Sequence, residues 1–273
     1  MKKILIFGES MIDQHKYFNI VAGAPVHIST ILKKNNLNTE LLTAIGDDKN
    51  GKKILNFLKK KKINTSNILI KKNYKTGLSI VNSHKNKNTF KIKNLSAWDF
   101  LDHRVNFTPH LLYFGSIVSR SNINIKTLNK IIKKNIKYIF FDLNLRLPHI
   151  NWVFTKKILT SKITHLKLSI EEYKYINKEF NNSYTVKKLF KKNKNLKFIA
   201  VTNNYKGCEI YFRNNISLIY KNIKKIKIIN SVGAGDVFTS YLIKSIVRNE
   251  DIISGFEEAI TNSTNSVSKI GID

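Results

Sequence analysis

Six short apolar runs recur along the chain: Ile4–Phe7, Glu40–Ile45, Leu111–Phe114, Tyr138–Phe141, His165–Leu168 and Phe198–Val201. Most are separated by segments long enough to hold a helix. A strand facing solvent on one side alternates apolar with polar residues, whereas a strand covered on both faces is apolar almost throughout. Segments 28–34 and 125–134 carry apolar residues three and four apart, the helical spacing. Together these patterns predict an α/β fold, a mostly parallel central sheet with helices on both faces. No internal repeat and no Pro- or Ser-rich linker divides the chain, so residues 1–273 are expected to form one unit.

Two places break the alternation. Asp13 to Val21 leaves little room for a helix before Gly23, and Thr76 to Ile92 reads as two strands around a polar turn at 84–88. A small β flap built from about residues 13–22 and 76–93 accounts for both.

The residues that close the apolar runs locate a cleft, because open parallel sheets bind ligands at the carboxyl ends of their strands. They are Gly8-Glu9, Gly46-Asp47-Asp48, Gly115-Ser116, Asp142-Leu143-Asn144, Lys167-Leu168-Ser169 and Thr202-Asn203-Asn204. Near the carboxyl end of the sequence, "NSVGAGDVFTSYLI" sets Gly233, Ala234, Gly235 and Asp236 before an apolar stripe at helical spacing. Bare backbone at a helix N-terminus can hold an anion. An acidic residue in the first turn is also an ordinary helix-start signal, so this stretch alone supports two readings. With an acid beside an anion-holding turn, and a flap to exclude water, the arrangement suits phosphoryl transfer to an alcohol.

Other classes lose support. The sequence has no GxxxxGK[ST], no GxGxxG after a strand, no GxSxG and no cluster at metal-ligand spacing. The single cysteine, Cys208, excludes an internal disulfide framework and fits a reducing, cytoplasmic setting. The opening MKKILIFGES has an apolar run of only four residues, too short for a signal peptide, and no later run could span a membrane. The net charge of +30 comes from 48 Lys and Arg against 18 Asp and Glu. Such an excess can mark nucleic-acid binding. Here the lysines are dispersed among Asn and Ile, all with A/T-rich codons, and no specific nucleic-acid role is expected.

NSVGAGD resembles the DTxGAGD signature of the ribokinase-like (PfkB) carbohydrate kinases. AGAPVHISTILKKNNLNTELLTAIGDDKNGKKIL, residues 22–55, resembles that family's amino-terminal signature. GESMID, LYFGS, FDLNLR and LKLSIEE resemble its fructokinase-like branch, and the matches run in family order from Gly8 to Asp236. The resemblance implies ATP- and Mg²⁺-dependent phosphorylation of a primary hydroxyl of fructose or a related hexose or keto-sugar. It implies Asp236 as catalytic base, and Gly233, Ala234 and Gly235 as the anion hole. Asp13, Gly23, His27, Asn144 and Arg146 would contact the sugar or its transferred phosphate. Thr202, Asn204 and Gly207 would lie along ATP, Asn262 or Asn265 near the adenine, and Glu172 would organise magnesium and its waters. The flap becomes the family's lid, through which a homodimer can form.

Several positions depart from the family pattern. His27 replaces the asparagine of GAPAN, Asn230 and Ser231 replace the acid and threonine of DTxGAGD, and Asn204 replaces a glycine. His27 keeps hydrogen-bonding capacity on a titratable ring, Ser231 keeps a hydroxyl, and asparagine tolerates the positive φ of a glycine turn. A 2-keto-3-deoxygluconate kinase, a nucleoside kinase, and a degenerate non-catalytic or nucleic-acid-binding protein remain open alternatives.

Overall fold

The computed structural model describes residues 2–84, 87–221 and 233–267. Its strands are β1 (Ile4–Phe7), β2 (Met11–Gln14), β3 (Asn19–Ala22), β4 (Thr39–Gly46), β5 (Ile68–Lys71), β6 (Gly77–His84), β7 (Lys87–Ile92), β8 (Leu111–Gly115), β9 (Tyr138–Asp142), β10 (His165–Ser169), β11 (Phe198–Thr202), β12 (Gly207–Phe212) and β13 (Ser217–Lys221). The helices are α1 (Ala24–Lys34), α2 (Lys49–Lys60), α3 (Asn122–Ile132), α4 (Trp152–Leu159), α5 (Ile170–Glu179), α6 (Val186–Lys192), α7 (Ala234–Arg248) and α8 (Ile252–Ser266).

Nine strands form the main sheet in the order β13-β12-β11-β10-β9-β8-β1-β4-β5. From β5 to β11 every neighbouring pair is parallel, and β12 and β13 add an antiparallel edge. The apolar runs are near-continuous because each strand serves two cores. In β1, Leu5 and Phe7 join the core beneath α3, α4, α5 and α6, while Ile4 and Ile6 join the one beneath α1, α2, α7 and α8. In β9, Ile139 and Phe141 take the first side, Tyr138 and Phe140 the second. Each large side chain so buried stabilises the fold by about 1.5–3 kcal/mol.

Five of the six strands extend past their apolar run. Gly46, Gly115, Asp142, Ser169 and Thr202, expected just beyond their strands, are the last residues of the ladders. Chain winding reverses at β1, with β4 and β5 on one side and β8 to β11 on the other. The crevice beyond the carboxyl end of β1 is therefore the favoured place for a ligand.

The lid is a separate sheet of order β3-β2-β6-β7. Strands β2 and β6 run parallel, each flanked by an antiparallel partner. Met11, Ala22, Ile92, Trp98 and Ile117 make a small core at its base. The Arg120 guanidinium lies 3.9 Å from the Trp98 ring centroid and pairs with Asp99 at 2.6 Å. Among the described residues no helix is long and apolar enough to cross a membrane.

Candidate active site

Six of the eight described helices begin with a capping side chain: Asp48, Ser121, Asn151, Ser169, Thr185 and Asp251. Helices α1 and α7 begin instead on Gly23 and Gly233, which have no side chain to cap with. These two uncapped ends meet: His27 in the first turn of α1 places Nδ1 2.8 Å from Asp236 Oδ2 in the first turn of α7. Gly233 sits at φ 86°, a left-handed conformation that costs glycine little. A Cβ on Gly23 would stand 2.7 Å from the Glu9 carbonyl oxygen, so a larger residue would push α1 away from β1.

The Asp236 N–H donates to the Gly233 carbonyl at 2.9 Å. That N–H is therefore not available to an anion. The N–H groups of Gly233, Ala234 and Gly235 meet no acceptor among the described residues. Val232, Asn230 and Ser231 lie outside those residues. Asp236 Oδ1 likewise accepts no hydrogen bond from a described residue, and the side chain keeps 16 % of its surface exposed. Among the described residues, three bare donors and a carboxylate with one unoccupied oxygen thus share one helix turn.

Around them stand mostly buried ionisable groups. Burial pushes the Glu9 carboxyl up to about 7, with the Asp236 charge adding to it and Arg146 and the N–H of Ala24 opposing. Glu9 Oε2 has no hydrogen-bond partner among the described residues. Asp13, on β2 of the lid, is also raised by burial, against the Ser79 hydroxyl and the charges of His27 and Arg146. Arg146 lies 5.3 Å from the centroid of Phe90 on β7, so one guanidinium links the lid to the cleft. Asn144, at φ 36°, turns the chain between β9 and Arg146, and its carbonyl accepts the Ser116 hydroxyl at 3.4 Å.

Beneath α7, Lys167 Nζ lies 3.2 Å from each oxygen of Asp142, which is fully buried. The Thr239 hydroxyl reaches the same carboxylate at 3.2 Å. Burial raises Asp142 to about 6 despite the adjacent ammonium. Lys167 in turn stays protonated: burial opposes its charge, but Asp142, Glu172 and Asp236 outweigh that. Its Nζ would be 3.2 Å from a Cβ on Gly235, so a buried positive charge sits beside the last of the three bare donors. Sequence reasoning set Glu9 and Lys167 at strand ends on the cleft side but gave neither a role in the site. The available signals were a lysine inside the apolar run HLKLS and an acid closing β1.

Glu172 has both oxygens on backbone N–H groups, Leu145 at 2.6 Å and Ser169 at 2.7 Å, closing a capping box with the Ser169 hydroxyl. The S-x-x-E pattern announces this role. Among the described residues no group of three His, Cys, Asp or Glu could hold a metal ion. An ion here would need its ligands from water or phosphate, and Glu172, whose two oxygens already accept backbone N–H groups, would act on it through water.

Thr202 ends β11, two strands from β9. Asn204 adopts φ 47°, the positive φ expected where glycine is replaced, and its amide reaches Glu171 at 2.9 Å. The Gly207 carbonyl accepts the Asn203 N–H at 2.8 Å and closes the turn into β12. Asn262 and Asn265 lie in the last turns of α8, which packs along α7; the Asn262 amide donates to the Glu258 carbonyl at 2.9 Å. His27, expected on a sugar hydroxyl, has Nε2 3.4 Å from the Val21 carbonyl oxygen as well as Nδ1 on Asp236, so both ring nitrogens face protein oxygens.

Known proteins share this fold. The chain is 22 % identical to the probable fructokinase-5 of Arabidopsis thaliana over 262 residues, 90 % of this chain and 79 % of the relative. An uncharacterized sugar kinase from Pyrococcus horikoshii superposes with a TM-score of 0.84 at 21 % identity, covering 99 % of this chain and 93 % of its own; the same protein is also known in complex with ATP. A nucleoside kinase from Methanocaldococcus jannaschii superposes with a TM-score of 0.82 at 19 % identity, covering 100 % and 93 %. Two activities on one backbone mean that the fold does not choose the acceptor. The description "pfkB family carbohydrate kinase" matches residues 1–270, the stretch that carries both uncapped helix starts and the lid, and the chain belongs to that family of ATP-dependent carbohydrate kinases.

Proposed function

We propose that the chain transfers the γ-phosphoryl of ATP to a primary hydroxyl of fructose or a related hexose or keto-sugar. One observation carries the reading: among the described residues Asp236 has one oxygen anchored and the other open, in the same turn as the bare donors of Gly233, Ala234 and Gly235. The open oxygen takes the acceptor proton as the hydroxyl attacks. The three N–H groups, backed by the Lys167 ammonium, stabilise charge on the transferring phosphoryl without reorganising during the step. Asp13, Gly23, Asn144 and Arg146 orient the sugar, with Arg146 suited to the product phosphate.

Thr202, Asn204 and Gly207 lie along ATP in this reading, with Asn262 or Asn265 at the adenine. Glu172 would organise a magnesium ion and its waters, and the ion would supply positive charge to offset that of the phosphates. A homodimer through the lid belongs to the same proposal, and the exposure of Tyr17, Phe18 and Ile20 on the β2–β3 hairpin supports it. Light scattering with and without sugar tests that part.

FDLNLR and the fructokinase relative favour a keto-sugar over a nucleoside. A coupled ADP-release assay over sugars, sugar acids and nucleosides tests the acceptor. The expected result is the highest kcat/KM on fructose or a close relative. Preference for a nucleoside would overturn the sugar assignment, and no turnover with any acceptor would overturn the enzyme reading.

A further inference from the structure

We propose that His27 is the positioning residue of the catalytic carboxylate: as an imidazolium it holds Asp236 Oδ2 through Nδ1–H, so that Oδ1 is presented to the acceptor hydroxyl. This rests on the reading of Asp236 as the base. The two residues are 209 positions apart and meet only because α1 and α7 pack side by side.

The ring has an acceptor at each end, the Asp236 carboxylate at 2.8 Å and the Val21 carbonyl at 3.4 Å. A neutral imidazole carries one N–H and can serve only one of them; the imidazolium carries two and serves both. With the His27 side chain 11 % exposed, little water is available to replace either partner. A charge-assisted hydrogen bond is roughly twice as strong as a neutral one, so protonated His27 restricts the carboxylate more tightly. Neither nitrogen is left for a sugar hydroxyl, which separates this role from substrate contact.

The charged surroundings agree. Elements packed on α1 bring Asp236 from α7, Tyr113 from β8 and Glu9 after β1; Glu40 on β4 shares the parity of Leu42 and Ala44, faces the other side of the sheet and is held there by Asn64 and Asn67. The lid adds Asp13, and Arg146 faces Asp13 and Glu9 from the far side. Burial opposes the charge on His27, but the hydrogen bond and charge of Asp236, the Val21 carbonyl and the charge of Asp13 outweigh it, and the ring titrates above its ordinary 6.5. Turnover should therefore decline as pH rises through the His27 ionisation, when one N–H must be shared between two acceptors.

Two measurements test this, and the first needs no turnover. Imidazole NMR of the labelled protein, with His27→Asn and His27→Gln to assign the signal, should show His27 titrating above 6.5. In Asp236→Asn the same signal should fall below that value, because burial then acts with much less opposition. Titration at or below 6.5 in the wild type, or no drop in Asp236→Asn, would overturn the pairing. The second is the pH profile of ADP release. His27→Asn, whose amide can donate but does not titrate, should lose the alkaline limb and lower kcat by about 10- to 100-fold with KM for ATP unchanged. An alkaline limb retained in His27→Asn, or a change confined to KM for sugar, would overturn the positioning role. A wild type inactive on every acceptor would count against the kinase reading, while the NMR titration still decides the pairing.

Discussion

Asp48 and Asp236 each follow a glycine-containing turn into a helix, and in the sequence they look alike. In the structure Asp48 is fully engaged: Oδ1 accepts the Gly51 N–H at 2.8 Å and the Thr76 hydroxyl at 2.7 Å, and Oδ2 accepts the Thr76 N–H at 2.9 Å. It caps α2 and ties that helix to the base of β6. Asp236 caps nothing. It sits three residues past its N-cap glycine, with one oxygen on His27 and the other open among the described residues. A carboxylate whose acceptors are all taken by backbone and hydroxyl groups is a structural part. One that keeps an acceptor free beside unpaired N–H groups is equipped for chemistry.

The largest stability effect is expected beneath Asp236. Lys167→Met would strand Asp142, fully buried, and breaking such a pair costs about 3–5 kcal/mol. The loss should depend on pH. Asp142 has its folded pKa raised to about 6 from 3.8, a difference that favours folding at low pH and is lost as pH rises through 6. Urea unfolding should thus show a larger deficit at pH 7.5 than at pH 5. An equal deficit at both would mean that Asp142 is not left charged and buried.

At the other helix start, Gly51→Ala would put a Cβ 2.1 Å from the Gly46 carbonyl oxygen, and overpacking of this kind costs about 1–3 kcal/mol. Its kcat should stay at the wild-type value, because the turn holds α2 and the lid base rather than the reacting groups. A fall in kcat with an unchanged Tm would erase the distinction between the two turns.

Asp48→Ala should cost about 0.5–2 kcal/mol, the usual loss of an N-cap. Burial raises Asp48, but the Thr76 and Gly51 N–H groups outweigh it and hold the folded pKa below 3.8. A depressed acid stabilises above its unfolded pKa and loses that contribution as pH falls through the folded one. The difference in Tm between wild type and variant should accordingly close in acid below about 3.8. A gap that persists there would assign the effect to lost packing.

The sheet was legible because burial on both faces writes itself into six apolar runs, and their polar ends marked the cleft side. Edge strands were not: β5 and β13 leave Ile70 57 % and Ile219 62 % exposed, so neither reads as a buried run. Asp236 and its glycines were legible as a local motif. The contact that sets its geometry was not, since His27 lies 209 residues earlier and reaches it only through helix packing. Lys167 was legible at a strand end on the cleft side, but not its pairing, because Asp142, which neutralises it, is 25 residues away. Local patterns report caps and strand faces; pairings between elements emerge only once the chain is folded.

The difference between the two aspartates is tested most directly by measuring kcat and Tm together on Asp236→Asn. The amide nearly keeps the shape and leaves the Gly233–Gly235 backbone in place, but it cannot take a proton. General-base catalysis contributes about 10²–10⁴-fold, so kcat should fall by that order while Tm stays close to wild type and ATP still binds. A variant that melts at lower temperature yet retains wild-type kcat would make Asp236 a second Asp48, a structural acid at a helix start.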